Sequence, residues 1–557
     1  MKFKKYIVIL FGVIITSCSL DEVWYDEVVP ETFFKTEGDV LAALYRPFTH
    51  ARWYLTGDRW IAQELSADQF ARTTKGRHWY DGGRYARYQH HEWTADETQL
   101  FGTWRGTLQG VALALDVKED LGRLDYQELA LTEEDKAAHL GQLDALTAFF
   151  YLRGLDFFGG LPVFTSLDQE DVPRSTDRET FQHIEGLLQQ AIMDLPIKEE
   201  GAPQEGAITK GAAAVMLARL YFNAEAYIGE AMYDEAARIS EGIIAGEYGN
   251  YSLDPEWKGP HDFDNHESPE VIWSIPSEFN RLEYSHYGHM YHYNSRVYFD
   301  IDLGSNNGTH LQPSRKPDGT LYSEDFRLGS PYEKFEDTDL RKRPFKYFGG
   351  GNYEGMFLVG PQISPVTGAS VIGNEEYSGE LVVFVDQVGR FSEVGETYSS
   401  VEEVPSNINA GEENSGIRLV KIPIPSSQDM TLRWGADHPV LRLAEVYFML
   451  AESQLRLGEP SSTAADLINA VRQRAFEGGN DPNPVTAENL DLYRMADEWG
   501  IEFLGEGRRR TDLIRLGFFT TEEWWDHQPS NSDHLNRFPV PTEALSASNV
   551  LEQNPGY

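Results

Sequence analysis

Residues able to do chemistry gather in two stretches. In the first, TTKGRHWYDGGRYARYQHHEW (73–93), Trp79, Tyr80, Tyr85 and Tyr88 stand beside Asp81 and Arg84. In the second, SHYGHMYHYN (285–294), Tyr287, Tyr291 and Tyr293 precede Asn294. A sugar presents a C–H face and a rim of hydroxyls. Aromatic rings cover the former, while carboxylate, amide and guanidinium groups hydrogen-bond the latter. The two stretches therefore read as carbohydrate-binding loops, with these ten residues as the candidate contact set. The competing reading is that the loops fold back and bury the rings. His286, His289 and His292 recur at every third position. On a helix they would share a face suited to a metal, but no acid stands at a motif spacing. No metal and no cofactor are expected.

Catalytic signatures are missing. No Gly-x-Ser-x-Gly, His-Glu-x-x-His or Walker-type loop occurs, so the common nucleophile, zinc and nucleotide chemistries have no motif here. With 89 acidic residues, carboxylate pairs arise by chance, and a glycosidase needs a pair held about 5–10 Å apart across a cleft. The expectation is binding without catalysis. The formal net charge of −41 repels phosphate backbones, which argues against nucleic acid as a partner.

The elements that must position these loops follow from periodicity. Lys2, Lys4 and Lys5 precede an apolar run from Tyr6 to Ile15 and then Ile15-Thr16-Ser17-Cys18, where Cys18 is the only cysteine. The run has about half the roughly 20 residues that span a bilayer, so residues 1–17 read as a cleaved secretory signal. Cys18 reads as a lipidation site, and residues 18–36 as a tether. Helical spacing places an N-terminal helical part at 37–246, with helices from 37, 97–120, 132–158, 177–194, 209–226 and 233–245. The last two resemble a tetratricopeptide-type pair. Residues 247–436 lose helical periodicity and form a loop-rich, ligand-binding lobe with strand candidates at 271–275, 381–385 and 417–421. Residues 437–557 return to helices at 439–457, 463–476 and 487–504, then an extended tail. The fold class is mainly α, with tetratricopeptide-like hairpins as a scaffold for the lobe.

Read in order, PETFFKTEGDVLAALY (30–45), ALTAFFYLRGLDFFGGLPVFT (145–165), HPVLRLAEVYFMLAES (438–453), GIEFLGEGRRRTDLIRLG (500–517), FPVPTEAL (538–545) and the closing QNPGY (553–557) resemble the SusD/RagB-like outer-membrane lipoproteins of Bacteroidetes. The resemblance covers nearly the whole chain. It implies a SusD-like fold and a lipid-anchored protein on the cell surface. It also implies that the protein captures polysaccharide or oligosaccharide and hands it to a TonB-dependent SusC-like transporter. A surface glycoside hydrolase and a peptide-capturing relative are the alternatives. Glu498-Trp499 departs from the Glu-Arg that many members carry there, which puts a buried arginine contact in doubt. Glu506, Arg508, Arg510, Asp512 and Arg515 stand at i,i+3 and i,i+4 spacings and read as structural pins.

Overall fold

The structure, a computed structural model, describes residues 33–557 apart from 282–287, 391–397 and 434. Cys18, Tyr287 and His286 lie outside the described residues. Helix α1 (Glu37–Leu44) opens on a capping box: the Thr36 hydroxyl accepts from Asp39 N, and the Asp39 carboxylate accepts from Thr36 N. Next come α2 (Arg46–Tyr54), α3 (Asp58–Glu64), α4 (Arg84–Gln89) and the long α5 (Thr98–Arg123). Capping boxes at Thr132/Asp135 and Thr176/Glu179 start α6 (Glu133–Phe158) and α7 (Asp177–Asp194). Gly159 ends α6 at φ 71°, ψ −144°, a conformation that residues with a Cβ avoid. Then follow α8 (Lys210–Phe222), α9 (Ala224–Ile228) and α10 (Tyr233–Ile244).

These helices stack in chain order, α5 on α6, α6 on α7, α7 on α8 and α8 on α10. Close approach needs small residues: a Cβ on Gly110 of α5 would sit 2.6 Å from the Phe150 ring of α6. Ala212, Ala213, Ala214 and Ala218 are all fully enclosed in α8. The row continues after the loop-rich segment, where α12 (Leu443–Leu457) packs on α10 and α13 (Ser461–Arg472) packs on α12. Between them, in the loop-rich segment, lies the short α11 (Ser295–Phe299), and beyond come α14 (Leu492–Glu502), α15 (Arg509–Leu516) and α16 (Thr542–Ala547). Among the described residues, no helix is long and apolar enough to cross a membrane.

Several expected elements change. Residues 439–442 do not begin a helix. His438–Arg442 is a strand paired antiparallel with Val271–Ile275, and α12 starts only at Leu443. Pro439 cannot donate in a helix interior, and the all-buried Val271–Ile275 strand offers a partner that local propensity does not see. This pairing ties residues 271–275 to the segment that runs directly into α12. The lobe's other strands are two-stranded fragments. The 381–385 candidate shortens to Val383–Phe384 and the 417–421 candidate to Arg418–Leu419. Residues 487–491 stay outside α14, because Asp491 caps it by accepting from Arg494 N at 2.8 Å.

Ionised side chains fasten the C-terminal helices to one another and to Arg341 and Lys421 of the loop-rich segment. The Glu502 carboxylate accepts from Arg341 Nη1 of the lobe at 2.9 Å, from Arg442 Nη1 at 2.8 Å and from Arg474 Nη2 at 2.9 Å. Glu506 accepts from Arg442 Nη2 at 2.7 Å and also meets Lys421. Arg515 donates twice to Glu452 and once to Asp512. Charged groups this deep need such full pairing, since removing one partner typically costs about 3–5 kcal/mol. The signature residues are therefore pins. At the departure from the family pattern, the Trp499 indole donates to Glu452 at 2.7 Å and Arg508 stacks 4.2 Å from its ring, while Glu498 pairs with Arg472.

Candidate functional site

The two aromatic loops converge. After β-branched Thr73 and Thr74 the chain turns at Lys75–His78 and runs alongside Gly411. This presents Trp79, whose indole N–H donates to the Asn306 carbonyl at 3.2 Å. Tyr293 lies beside the same indole, and its ring centroid is 5.6 Å from that of His78. Both Trp79 and Tyr293 are half-buried. Tyr80 projects outward, 59% exposed, next to exposed Asp81. Trp79 (φ 65°) and Asp81 (φ 42°) hold left-handed backbone, which costs non-glycine residues about 1–3 kcal/mol each and is tolerated where surroundings over-determine it.

Other loops complete the face. Asn294 Nδ2 donates to the Ile372 carbonyl at 2.6 Å and to Asn374 Oδ1 at 2.9 Å. His78 Nε2 lies 3.2 Å from Glu375 Oε1, with Arg77 3.6 Å from the same carboxylate. Beneath them is Glu413, 1% exposed. Its carboxylate accepts from Asn374 N at 2.7 Å and Glu375 N at 3.0 Å, and meets His292 Nε2 at 2.6 Å. Because His292 Nδ1 accepts from Asn294 N at 3.0 Å, Nε2 carries the proton and donates to Glu413. These hydrogen bonds hold Glu413 below the usual carboxylate range against the opposing effect of burial, the largest single influence. Burial pushes the Tyr293 phenol up.

Under Trp79, the Arg72 guanidinium lies 5.2 Å from its ring and 4.7 Å from the Tyr85 ring, and donates to Tyr85 Oη at 2.9 Å. Such a cation beneath a ring fixes the ring's height and tilt.

The ten candidate residues therefore separate. Trp79, Tyr293 and Asn294 come together where the loops converge, and Tyr80 and Asp81 are exposed next to Trp79 in the chain. Arg84 is half-buried at its edge, directed at Thr98 of α5. Tyr85, Tyr88 and Tyr291 depart from the expected loop positions: all three rings are buried. The Gly82-Gly83 turn leads into α4, which points Tyr85 and Tyr88 inward. Tyr88 packs 6.3 Å from Trp93 and from Phe538, and Tyr291 packs 5.1 Å from Phe299. Tyr287 lies outside the described residues. Histidines 289 and 292 diverge: His289 packs 5.0 Å from Trp60, and His292 is bound to Glu413. Among the described residues no group of three or more His, Cys, Asp or Glu could hold a metal. His78, Asn374, Glu375, Glu413 and Arg72 escaped sequence reasoning. Asn374, Glu375 and Glu413 come from separate polar loops whose only local signal is Gly/Asn/Glu composition, while His78 lies inside the 73–93 stretch and Arg72 just before it.

Fold and face together define a class: a scaffold of stacked helical hairpins that presents an aromatic, hydrogen-bonding platform built from loops. A model of the SusD family matches residues 269–557, more than half of the chain, and the chain belongs to that family. It is 25% identical over 474 residues to the starch-binding protein SusD of Bacteroides thetaiotaomicron, covering 80% of this chain and 78% of that one. Among solved structures, a SusD superfamily protein from Parabacteroides distasonis superposes with TM-score 0.65 at 16% identity, covering 95% of this chain and 100% of that one. Surface glycan-binding protein A from Bacteroides uniformis superposes with TM-score 0.63 at 17% identity, covering 93% and 99%. The mainly α, SusD-like fold expected from sequence is the observed one.

Proposed function

We propose that the protein is a cell-surface lipoprotein that captures a polysaccharide or its oligosaccharides and delivers them to a TonB-dependent SusC-like transporter of the outer membrane. The carrying observation is the meeting of Trp79 and Tyr293. Two half-buried aromatic rings from loops more than 200 residues apart lie beside one another, near Asn294, Asn374 and Glu375, which supports a ligand-binding face there. The 25%-identical relative is named for starch binding, which supports a glycan as the ligand class. The platform binds and does not turn over its ligand. Residues 75–81 supply His78, Trp79 and Tyr80, residues 247–436 supply Tyr293, Asn294, Asn374 and Glu375, and the helical parts dock on the transporter. Acylation of Cys18, with residues 18–36 as the tether, holds the body at the outer membrane.

Affinity electrophoresis of the mature protein across a polysaccharide panel tests the reading. Retardation by at least one glycan, lost on joint Trp79→Ala and Tyr80→Ala substitution, is expected. Absence of retardation by any glycan, together with failure to co-purify with an outer-membrane barrel, overturns it. Cys18→Ala moves the protein from the membrane fraction to the soluble fraction without changing its affinity. Exposed Asp81 and Glu376, with half-buried Glu375, leave a hydrolase reading open to the same preparation: reducing-sugar release abolished by one carboxylate-to-amide change would favour an enzyme.

A further inference from the structure

A polar cavity of about 60 Å³ sits inside the scaffold, where α6, α8, the His438–Arg442 strand and the loop after α14 meet. At roughly 10–15 Å³ per water-sized position it has room for a small ion and a few waters. Its wall carries four arginines, Arg153, Arg219, Arg442 and Arg508, against three carboxylates, Asp156, Glu445 and Glu506. Three of the arginines are matched. Arg219 grips Glu445 with two hydrogen bonds, Arg508 pairs with Asp512 and Glu445, and Arg442 pairs with Glu506, Glu502 and Glu270.

Arg153 is the exception. Among the described residues it forms no ion pair. Its one hydrogen bond to protein is a long one, Nη1 to the Gly507 carbonyl at 3.3 Å, and its Nε has no acceptor. The nearby Asp156 carboxylate is already taken by Gln63 Nε2 at 2.6 Å, Thr511 Oγ1 at 2.9 Å and Tyr227 Oη at 3.2 Å. The guanidinium carbon lies 5.8 Å from the Phe149 ring centroid, so one flank is apolar. Arg153 is half-buried and lines the cavity. Burial, with repulsion from Arg219 next, draws its pKa below the ordinary arginine value. A guanidinium stays protonated in proteins, so the cavity wall keeps a half-buried positive charge with unused donors.

We infer that this cavity binds one small monovalent anion, a halide or a formate- or acetate-sized carboxylate, on the free donors of Arg153. The one wall arginine without an ion pair among the described residues, Arg153, calls for a single negative charge, and the volume excludes a sugar. The ion joins α6 and α8 to the Gly507–Arg508 turn, so it acts on the scaffold's cohesion and not on the aromatic platform. The inference is independent of the proposed glycan function.

The experiment uses the folded protein in two ways. Crystals soaked in bromide give an anomalous peak at hydrogen-bond distance from the Arg153 guanidinium. In solution, the melting temperature rises saturably with chloride at constant ionic strength, gluconate being the balancing anion, and an acetate series separates halide from carboxylate. Arg153→Met removes both the peak and the anion dependence. A cavity without bromide in the wild-type crystal overturns the inference. So does a peak with no saturable solution effect (an adventitious ion only), or a peak that persists in Arg153→Met. If that variant does not fold, the wild-type peak and titration decide alone.

Discussion

The indole N–H of Trp79 donates to the backbone carbonyl of Asn306 at 3.2 Å, across 227 residues of chain. That bond fixes the outward ring of one loop on the backbone of another. Trp79→Phe keeps the aromatic face and deletes the donor. It is expected to lower stability by about 1 kcal/mol, since a part-buried carbonyl loses its partner, while retaining most glycan affinity. Trp79→Ala, which also removes the ring, is expected to weaken glycan affinity at least about tenfold, or about 1.4 kcal/mol. Isothermal calorimetry and urea unfolding on both variants separate the two contributions.

Tyr80 and Tyr88 are eight residues apart and have opposite roles. Tyr80→Ala, at a 59% exposed ring, should leave stability within about 0.5 kcal/mol and reduce glycan binding. Tyr88→Ala empties a fully enclosed site and should cost about 3–5 kcal/mol of stability. Denaturant midpoints together with affinity electrophoresis read both effects.

Glu413 ties three loops under the platform. Its carboxylate takes the His292 ring N–H and two backbone N–H groups. An amide there would turn one acceptor into a donor facing a donor. Glu413→Gln is expected to destabilise by about 1–3 kcal/mol and to weaken glycan binding as Asn294 and Asn374 lose their register. Urea unfolding and calorimetry measure the two losses.

Glu64 gives a pH signature of its own. It is fully buried, its Oε1 accepts from Arg508 N at 2.9 Å, and its Oε2 has no partner. Desolvation raises its pKa from 4.5 to about 7, partly offset by backbone N–H groups from Arg508, Arg509 and Gly507. Between those values the folded state binds a proton that the unfolded state has released. Stability from this group therefore falls as pH rises from 4.5 to 7, by roughly 3 kcal/mol. His438 and His527, drawn down to about 4 by burial, act in the opposite direction from pH 4 to 6.5. The difference between wild type and Glu64→Gln isolates the glutamate: the variant should gain relative stability with rising pH across that window and hold it above pH 7. Chemical denaturation at pH 5, 6, 7 and 8 checks this.

Glu502 is surrounded by Arg341, Arg442 and Arg474, which hold its carboxylate far below the usual range against the cost of burial, the largest influence. Glu502→Gln leaves three buried guanidinium groups short of charge. It is expected to cost about 3–5 kcal/mol and to loosen the segment around Arg341 first, since Arg341 reaches Glu502 across 161 residues of chain. Hydrogen exchange at residues 338–345 and unfolding by urea are the readouts.

Much of the scaffold was legible because helices are local. The Thr132/Asp135 and Thr176/Glu179 caps, the Gly159 stop and the 3.6-residue apolar spacing each act within a few residues, and α6 and α7 begin and end where those signals lie. Composition also marked residues 73–93 and 285–294 as the aromatic stretches. What sequence could not decide was which rings face water. Tyr80 and Tyr88 have the same side chain in the same stretch, and only the turn into α4 and the packing of Trp93 and Phe538 send one outward and one in. His438–Arg442 likewise reads as helix until the Val271–Ile275 strand lies beside it. Glu413, Asn374 and Asn306 carry no local signal, because their partners are supplied by distant loops. Burial and hydrogen-bond pairing across long stretches of chain are properties of the assembled fold, so tertiary structure alone decided which of the aromatics that the sequence offered face solvent.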